Sequence, residues 1–165
     1  MFRQREEFES KLLDLARVTR VTAGGKHLRF RAAIILGDRK GKVGLGVAKG
    51  RDVQQAIQKA TTRAKKSFIS VPIREETIPT DIEIKYHSAK IFLRPQKKGR
   101  GIVAGGVIRA LCDLGGIPNI TGKLITKTNN KINIARATLK AFEELKDFMP
   151  REESVGKKPI QKKSV

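Results

Sequence analysis

The stretch GDRKGKVGLGVAKGRDVQQAIQKA, residues 37–60, decides how the first half of this chain folds. A β-prone run, 43–48, carries glycines at alternate positions and leads straight into a helical pattern. Nucleotide-binding enzymes place strand, glycines and helix in the same order to hold a phosphate. The spacing here excludes them. A dinucleotide fingerprint starting at Gly44 and Gly46 needs its third glycine where Lys49 stands, since Gly50 comes one residue late. It also needs an acid about twenty residues on, and 64–70 (AKKSFIS) has none. A triphosphate loop running from Gly41 to Gly46 needs Lys at the position of Val47.

What remains is a hairpin strand and the helix behind it. Asp52 followed by Gln55 fits a capping box. Val53, Ala56, Ile57, Ala60, Ala64 and Phe68 recur at helical spacing as one apolar stripe, with Lys59, Arg63 and Lys66 on a different face. Upstream, LLDLARVTRVT (12–22) alternates as a strand, setting Val18, Arg20 and Thr22 against Arg17, Thr19 and Val21. AGGK turns the chain, HLRFRAAIILG is a second strand and DRKGK the next turn. The first half therefore reads as β-β-β-α, a meander backed by one helix.

Residues 71–80, with two prolines and no period, read as a junction. IEIKYH and KIFLRP are two further strands, followed by a basic glycine-rich loop, QKKGRGIVAGG. A helix then carries Ala104, Val107, Ile108, Leu111 and Leu114 on one side, with Gly115, Gly116 and Pro118 as its stop. TGKLITK is a short strand. The last helix carries Ala135, Thr138, Phe142, Leu145 and Met149 inward, with Asn133 as its N-cap. The expected organisation is an extension at 1–10, a β-β-β-α domain at 11–70, the junction at 71–80, an α/β domain of βαβ type at 81–149 and a basic flexible tail at 150–165. The fold class is α+β in two small domains.

Charge narrows the function. The 165 residues carry 36 Lys and Arg against 16 Asp and Glu, a net of +20. Residues 17–66 alone hold 14 cations and 2 acids. Such a surface attracts polyanions, with nucleic acid ahead of an anionic membrane. One Cys and two His argue against a closed zinc site, and the lone Cys112 supports no internal disulfide. No apolar run approaches the ~18 residues of a membrane span, and the start MFRQREEFES has neither a signal core nor the acid-poor character of a transit peptide. Asp81 with Glu83, and Glu75 with Glu76, read as solvated pairs, and His87 and Tyr86 alternate to opposite faces. No nucleophile and base can be paired. The expectation is a protein without catalytic residues, metal, cofactor, membrane or small-molecule substrate.

A polyanion binder needs cations along a surface and turn backbone that can face phosphates. Arg17 and Arg20 on the first strand, Gly24, Gly25 and Lys26 at the first tip, Arg29 and Arg31 sharing a face, and Lys40 and Lys42 at the second tip supply them. Gly44, Gly46 and Lys49 on the third strand complete the set, each glycine either meeting RNA or letting the sheet twist. Aromatic stacking platforms are scarce, which favours structured RNA over single strands.

From Gly25-Lys26 through Phe30, Ala32, Ile35-Leu36, Gly37-Asp38, Gly41, Val43-Gly44, Gly46 and Asp52-Val53 to Ala56-Ile57, the order and spacing resemble the signature of bacterial small-subunit ribosomal protein five. GRGIVAGGVIRALCDLGGI and NNKINIARATLKAFEEL are similar to that family's two C-terminal motifs. The resemblance implies a first domain like a double-stranded-RNA-binding fold and a cytoplasmic, ribosome-bound protein that is no enzyme. It implies binding to small-subunit rRNA during assembly, with ribosomal proteins four and eight as neighbours. It also implies a place beside the path by which mRNA enters, an influence on translational accuracy, and a first tip near the spectinomycin site. Carried over by position, that tip is Ala23, Gly24, Gly25 and Lys26, the contact with protein four falls on Gly101 and Arg109, and Arg17 and Arg20 face RNA. The chain departs from the family pattern at Ala23, Ala48, Lys97, Lys98, Arg100 and Lys131. A free-standing double-stranded-RNA regulator, suggested by the β-β-β-α half alone, is the alternative.

Overall fold

The computed structural model describes residues 8–147; Met149, the tail at 150–165 and all but the end of the 1–10 extension lie outside the described residues. The first sheet contains β1 (Glu9–Thr22), β2 (Gly25–Gly37), β3 (Lys42–Gly50) and β4 (Phe68–Ser70) in that spatial order, with α1 (Val53–Lys66) between β3 and β4. The second half holds β5 (Ile82–Tyr86), β6 (Ala89–Pro95), β7 (Ile102–Ala104), α2 (Gly106–Gly115), β8 (Ile120–Leu124) and α3 (Lys131–Asp147). Its sheet runs β5-β6-β8-β7, with β7 and β8 parallel across α2, a βαβ unit beside an antiparallel hairpin.

The glycines of β3 are explained by α1. Gly44, Gly46, Ala48 and Gly50 alternate onto one face, where Ala56, Ala60 and Ala64 of the helix are fully buried. A Cβ on Gly44 would lie 2.5 Å from the Ala64 carbonyl oxygen and one on Gly50 2.5 Å from the Ala56 nitrogen, while one on Gly46 would collide with the Ala60 carbonyl. Small residues on both partners let strand and helix backbones touch. Placing Gly44 and Gly46 among RNA-facing residues is therefore corrected: they face the helix. Ala32, Ile34 and Leu36 of β2, with Phe30, Ile57 and Phe68 at the margin, complete this small core.

The other sheet face is covered at its base only. Ile35 and Val43 join Leu111, Leu114, Phe142 and Leu145 in one cluster that also takes in Val71 and Ile78 from the segment between the halves. Backbone bonds tie the β2–β3 turn to the end of α2, from Arg39 N to Leu114 O at 3.0 Å and Gly41 N to Gly115 O at 3.1 Å.

Several local expectations change. Asp52 occupies the N-cap position but its side chain caps nothing, and Gln55 Oε1 accepts instead from Arg51 N at 3.0 Å. The helix ends at Lys66, so Phe68 belongs to β4, which pairs with Lys42–Gly44. β7 lies within what reads as a loop. The last helix starts earlier than expected: Asn130, not Asn133, is its cap, its Oδ1 accepting from Asn133 N at 3.3 Å.

Two outcomes follow from this packing. Gly46→Val should lose about 3 kcal/mol in denaturant melts through overpacking of backbone against backbone, whereas a melt within error of the parent would refute the close approach. Burial, with Asp113 adding to it, pushes the Cys112 thiol from 9.0 up to about 12. The folded state keeps its proton where the unfolded state loses it, so stability should fall as pH rises above about 9. A thiol reagent at pH 8 should label Cys112 only at the rate of unfolding.

Candidate nucleic-acid interface

β1 and β2 continue past the end of β3, whose last pair with β2 is Gly50 with Phe30. Beyond it they form a two-stranded ribbon. The two-residue turn pairs Thr22 with Gly25, and that register puts Arg20 opposite His27 and Val18 opposite Arg29. Arg31 is opposite Lys49 on β3. Opposed residues share a face, so Arg20, His27, Arg29, Arg31 and Lys49 form one field on the face away from α1. Residues 17–37 contain no Asp or Glu. Arg20, His27, Arg29 and Lys49 line one hollow, and Arg29 and Lys49 line another together with Arg51 and Lys59.

The structure does not bring the whole expected set together. Arg17 is opposite Phe30 on the α1 face of the sheet, so it and Arg20 point to opposite sides. Lys40 and Lys42 flank a turn docked on α2, at the other end of β2, about 40 Å from the first tip at ~3.3 Å per residue. There Asp38 Oδ1 accepts from the backbone N–H of both, at 2.8 and 2.9 Å. Arg31 is only partly free, because Asp14 takes one of its nitrogens at 3.4 Å. At the tip Ala23, Gly24, Gly25 and Lys26 are exposed, and a Cβ on Gly24 or Gly25 meets nothing within 4 Å. Gly25 has φ 124°, which requires glycine; Gly24 has no such internal reason. Beyond the β4 pairing, the free edge of β3 is closed by α1, with Arg63 donating to Val47 O at 2.7 Å and Ser67 to Leu45 O at 2.9 Å.

Sequence pattern alone does not assign His27, Arg51 and Lys59 to this field. Counting outward from the two-residue turn would have found His27, since 22 with 25 implies 20 with 27. Arg51 and Lys59 needed the helix docked.

Gly101 and Arg109 sit elsewhere. Gly101, at φ 75°, precedes β7, and Arg109 is exposed on α2. Asn119, nearly buried, organises that corner: its Oδ1 accepts from Gly99 N at 3.1 Å and Gly101 N at 3.0 Å, and its Nδ2 reaches Glu76. Glu76 in turn holds Lys98 at 2.9 Å and raises its pKa, first through the hydrogen bond. Among the described residues no three His, Cys, Asp or Glu side chains gather as metal ligands, and no helix is long and apolar enough to cross a membrane.

The family described as Ribosomal protein S5, N-terminal domain matches residues 8–72, and its C-terminal domain matches 84–154. Small ribosomal subunit protein uS5 of Thermotoga petrophila is 45% identical over 144 residues, covering 87% of this chain and 80% of that protein. The chain belongs to the ribosomal protein S5 family. A second S5-family relative, uS5 of Campylobacter jejuni, is 44% identical over 142 residues, 86% of this chain and 96% of its own. The protein named uS5c of Spinacia oleracea is 41% identical over 145 residues, which is 47% of its length. The two-domain α+β architecture expected from the S5 resemblance is the one observed.

Within this S5-family ribbon the open space at Gly24 gives a clean test. Gly24→Val should leave the melting midpoint within about 0.5 kcal/mol of the parent, as surface changes do, while weakening RNA binding. Outright unfolding would show that the glycine is needed by the fold.

Proposed function

We propose that this chain is a structural constituent of the small ribosomal subunit that binds structured rRNA with the ribbon face carrying Arg20, Arg29 and Lys49 and with the tip Ala23–Lys26. The observation that carries this reading is the acid-free ribbon itself. It extends beyond both cores and presents its cations in register on one face. Phosphates of a folded RNA can meet cations spaced along two strands, and backbone N–H groups can approach at a tip without side chains.

Family membership supports extending the proposal to the rest of the role. The chain supports subunit assembly in the cytoplasm, lies near the path by which mRNA enters, and influences translational accuracy. Ribosomal proteins four and eight are its protein neighbours, with Gly101 and Arg109 at the contact with protein four. The exposed guanidinium of Arg109 and the open backbone at Gly101 suit such a contact. A free-standing RNA regulator built from residues 1–70 fits less well, because Ile35 and Val43 would lose the apolar cover that the second half gives them.

Arg20→Ala with Arg29→Ala in the full chain should lower affinity for small-subunit rRNA and flatten the log-log salt dependence by roughly 1.4 to 1.8, about 0.7–0.9 per phosphate contact. Arg109→Ala should leave that slope alone. The same double variant should sediment less with small subunits at moderate salt. A parent protein that washes off small subunits at moderate salt would overturn the reading.

A further inference from the structure

The cationic face does not end at the ribbon. Going down β2 from Arg29, the next side chain on that face is Arg31, and it opens into a cleft between the first sheet and the start of α3. Asp14, Arg31, Asn129 and Lys131 line this cleft. Asp14 lies between two cations: its Oδ2 is 3.4 Å from Arg31 Nη2 and its Oδ1 3.5 Å from Lys131 Nζ. One carboxylate against two cations leaves one positive charge unbalanced. The Nε of Arg31 is buried and has no hydrogen-bond partner among the described residues. Asp14 takes the Nη2 terminus alone, so the other terminal nitrogen of this part-exposed guanidinium, Nη1, is still able to donate to an oxyanion in the cleft. The first turn of α3 is not the source of this capacity, because Asn130 already caps it.

We propose that this cleft is a second phosphate seat, holding one RNA phosphodiester between Arg31 and Lys131. The proposal rests on the RNA reading of the ribbon and extends it across the boundary between the two halves, on to α3. One phosphodiester carries the single negative charge that the cleft lacks. Asp14 holds the two cations in place when no RNA is bound and competes with the phosphate when it is. Arg31 is half-buried and cannot follow a ligand far, whereas Lys131 is about half exposed and can swing toward one. The seat would fix the angle at which RNA leaves the ribbon, because its two cations belong to different halves of the molecule.

The test uses the full chain, small-subunit rRNA and a titration of KCl. Lys131→Gln should weaken binding three- to tenfold and flatten the log-log salt slope by about 0.7–0.9, one phosphate contact. Lys140→Gln, which removes an α3 cation paired with Glu144 outside the cleft, should change neither. Asp14→Asn separates a phosphate seat from a purely structural ion pair, since the two predict opposite signs. With the competing carboxylate gone, RNA affinity should rise two- to fivefold even where the melting midpoint falls. Lys131→Gln matching Lys140→Gln overturns the seat, and so does folded Asp14→Asn binding no more tightly than the parent. If Arg20→Ala with Arg29→Ala also leaves affinity unchanged, the ribbon reading itself has failed. If that pair weakens binding and Lys131→Gln does not, only the cleft is refuted.

Discussion

The contact between α1 and β3 is the constraint on which the rest of the molecule depends. Gly44, Gly46 and Gly50 on the strand and Ala56, Ala60 and Ala64 on the helix leave no side-chain layer between the two backbones. Close packing of this kind tolerates no added methyl, because the neighbouring atoms are main chain and cannot turn aside. It also fixes the helix axis against the sheet, and so fixes which sheet face remains open. The helix takes one face, the base of the other is taken by α2 and α3, and what is left uncovered is the far end of the β1–β2 ribbon. A two-stranded ribbon is only marginally stable by itself in water. Here it is anchored because the same two strands run on into both cores.

That anchoring lets a highly charged surface exist. Arg20, Arg29, Arg31 and Lys49 share one face, and among the described residues Asp14 alone is near to offset them. Their mutual repulsion disfavours the folded chain in the absence of a polyanion, and is screened over roughly 8 Å at physiological ionic strength. The exposed ion pairs elsewhere, such as Arg39 with Glu9 at 2.7 Å, contribute little individually. Stability has to come from the apolar clusters, so the strands are rigid where they are buried and free to carry cations where they are not. The cations gain from this in turn: a strand held in register presents its side chains at fixed intervals.

What the sequence made legible follows from how local each signal is. The glycines at alternate positions before a helical stripe, the apolar faces of α2 and α3, and the paired glycines of the first turn are short-range patterns. β4 and β7, three residues each, carry no period of their own and exist only because β3 and β8 offer them an edge. Asn130 and Asn133 are both competent caps, and the choice between them depends on where Ile134 and Thr138 meet the core, which no local rule states. The candidate interface divides in the same way. Simple alternation puts Arg29 and Arg31 on one face, whereas only charge groups Lys40 and Lys42 with them. Pairing within the sheet separates them, because a hairpin strand carries its two turns to opposite ends.

The strand-glycine-helix order shared with nucleotide enzymes has a physical basis. In both cases glycine lets a helix approach a strand more closely than side chains allow, and only afterwards does one use diverge from the other. In a dinucleotide site the glycines lie in the turn, so the helix start faces the ligand. Here they lie in the strand itself, the helix is reached through Arg51 and Asp52, and the glycine faces are spent on packing. The cation of this strand, Lys49, lies on its opposite face, one residue before the last glycine of the seam. Alternation along β3 thus places the packing that orients the sheet and the charge that uses the orientation on consecutive residues. Moving the register of β3 by one residue would bury the lysine and expose the glycines.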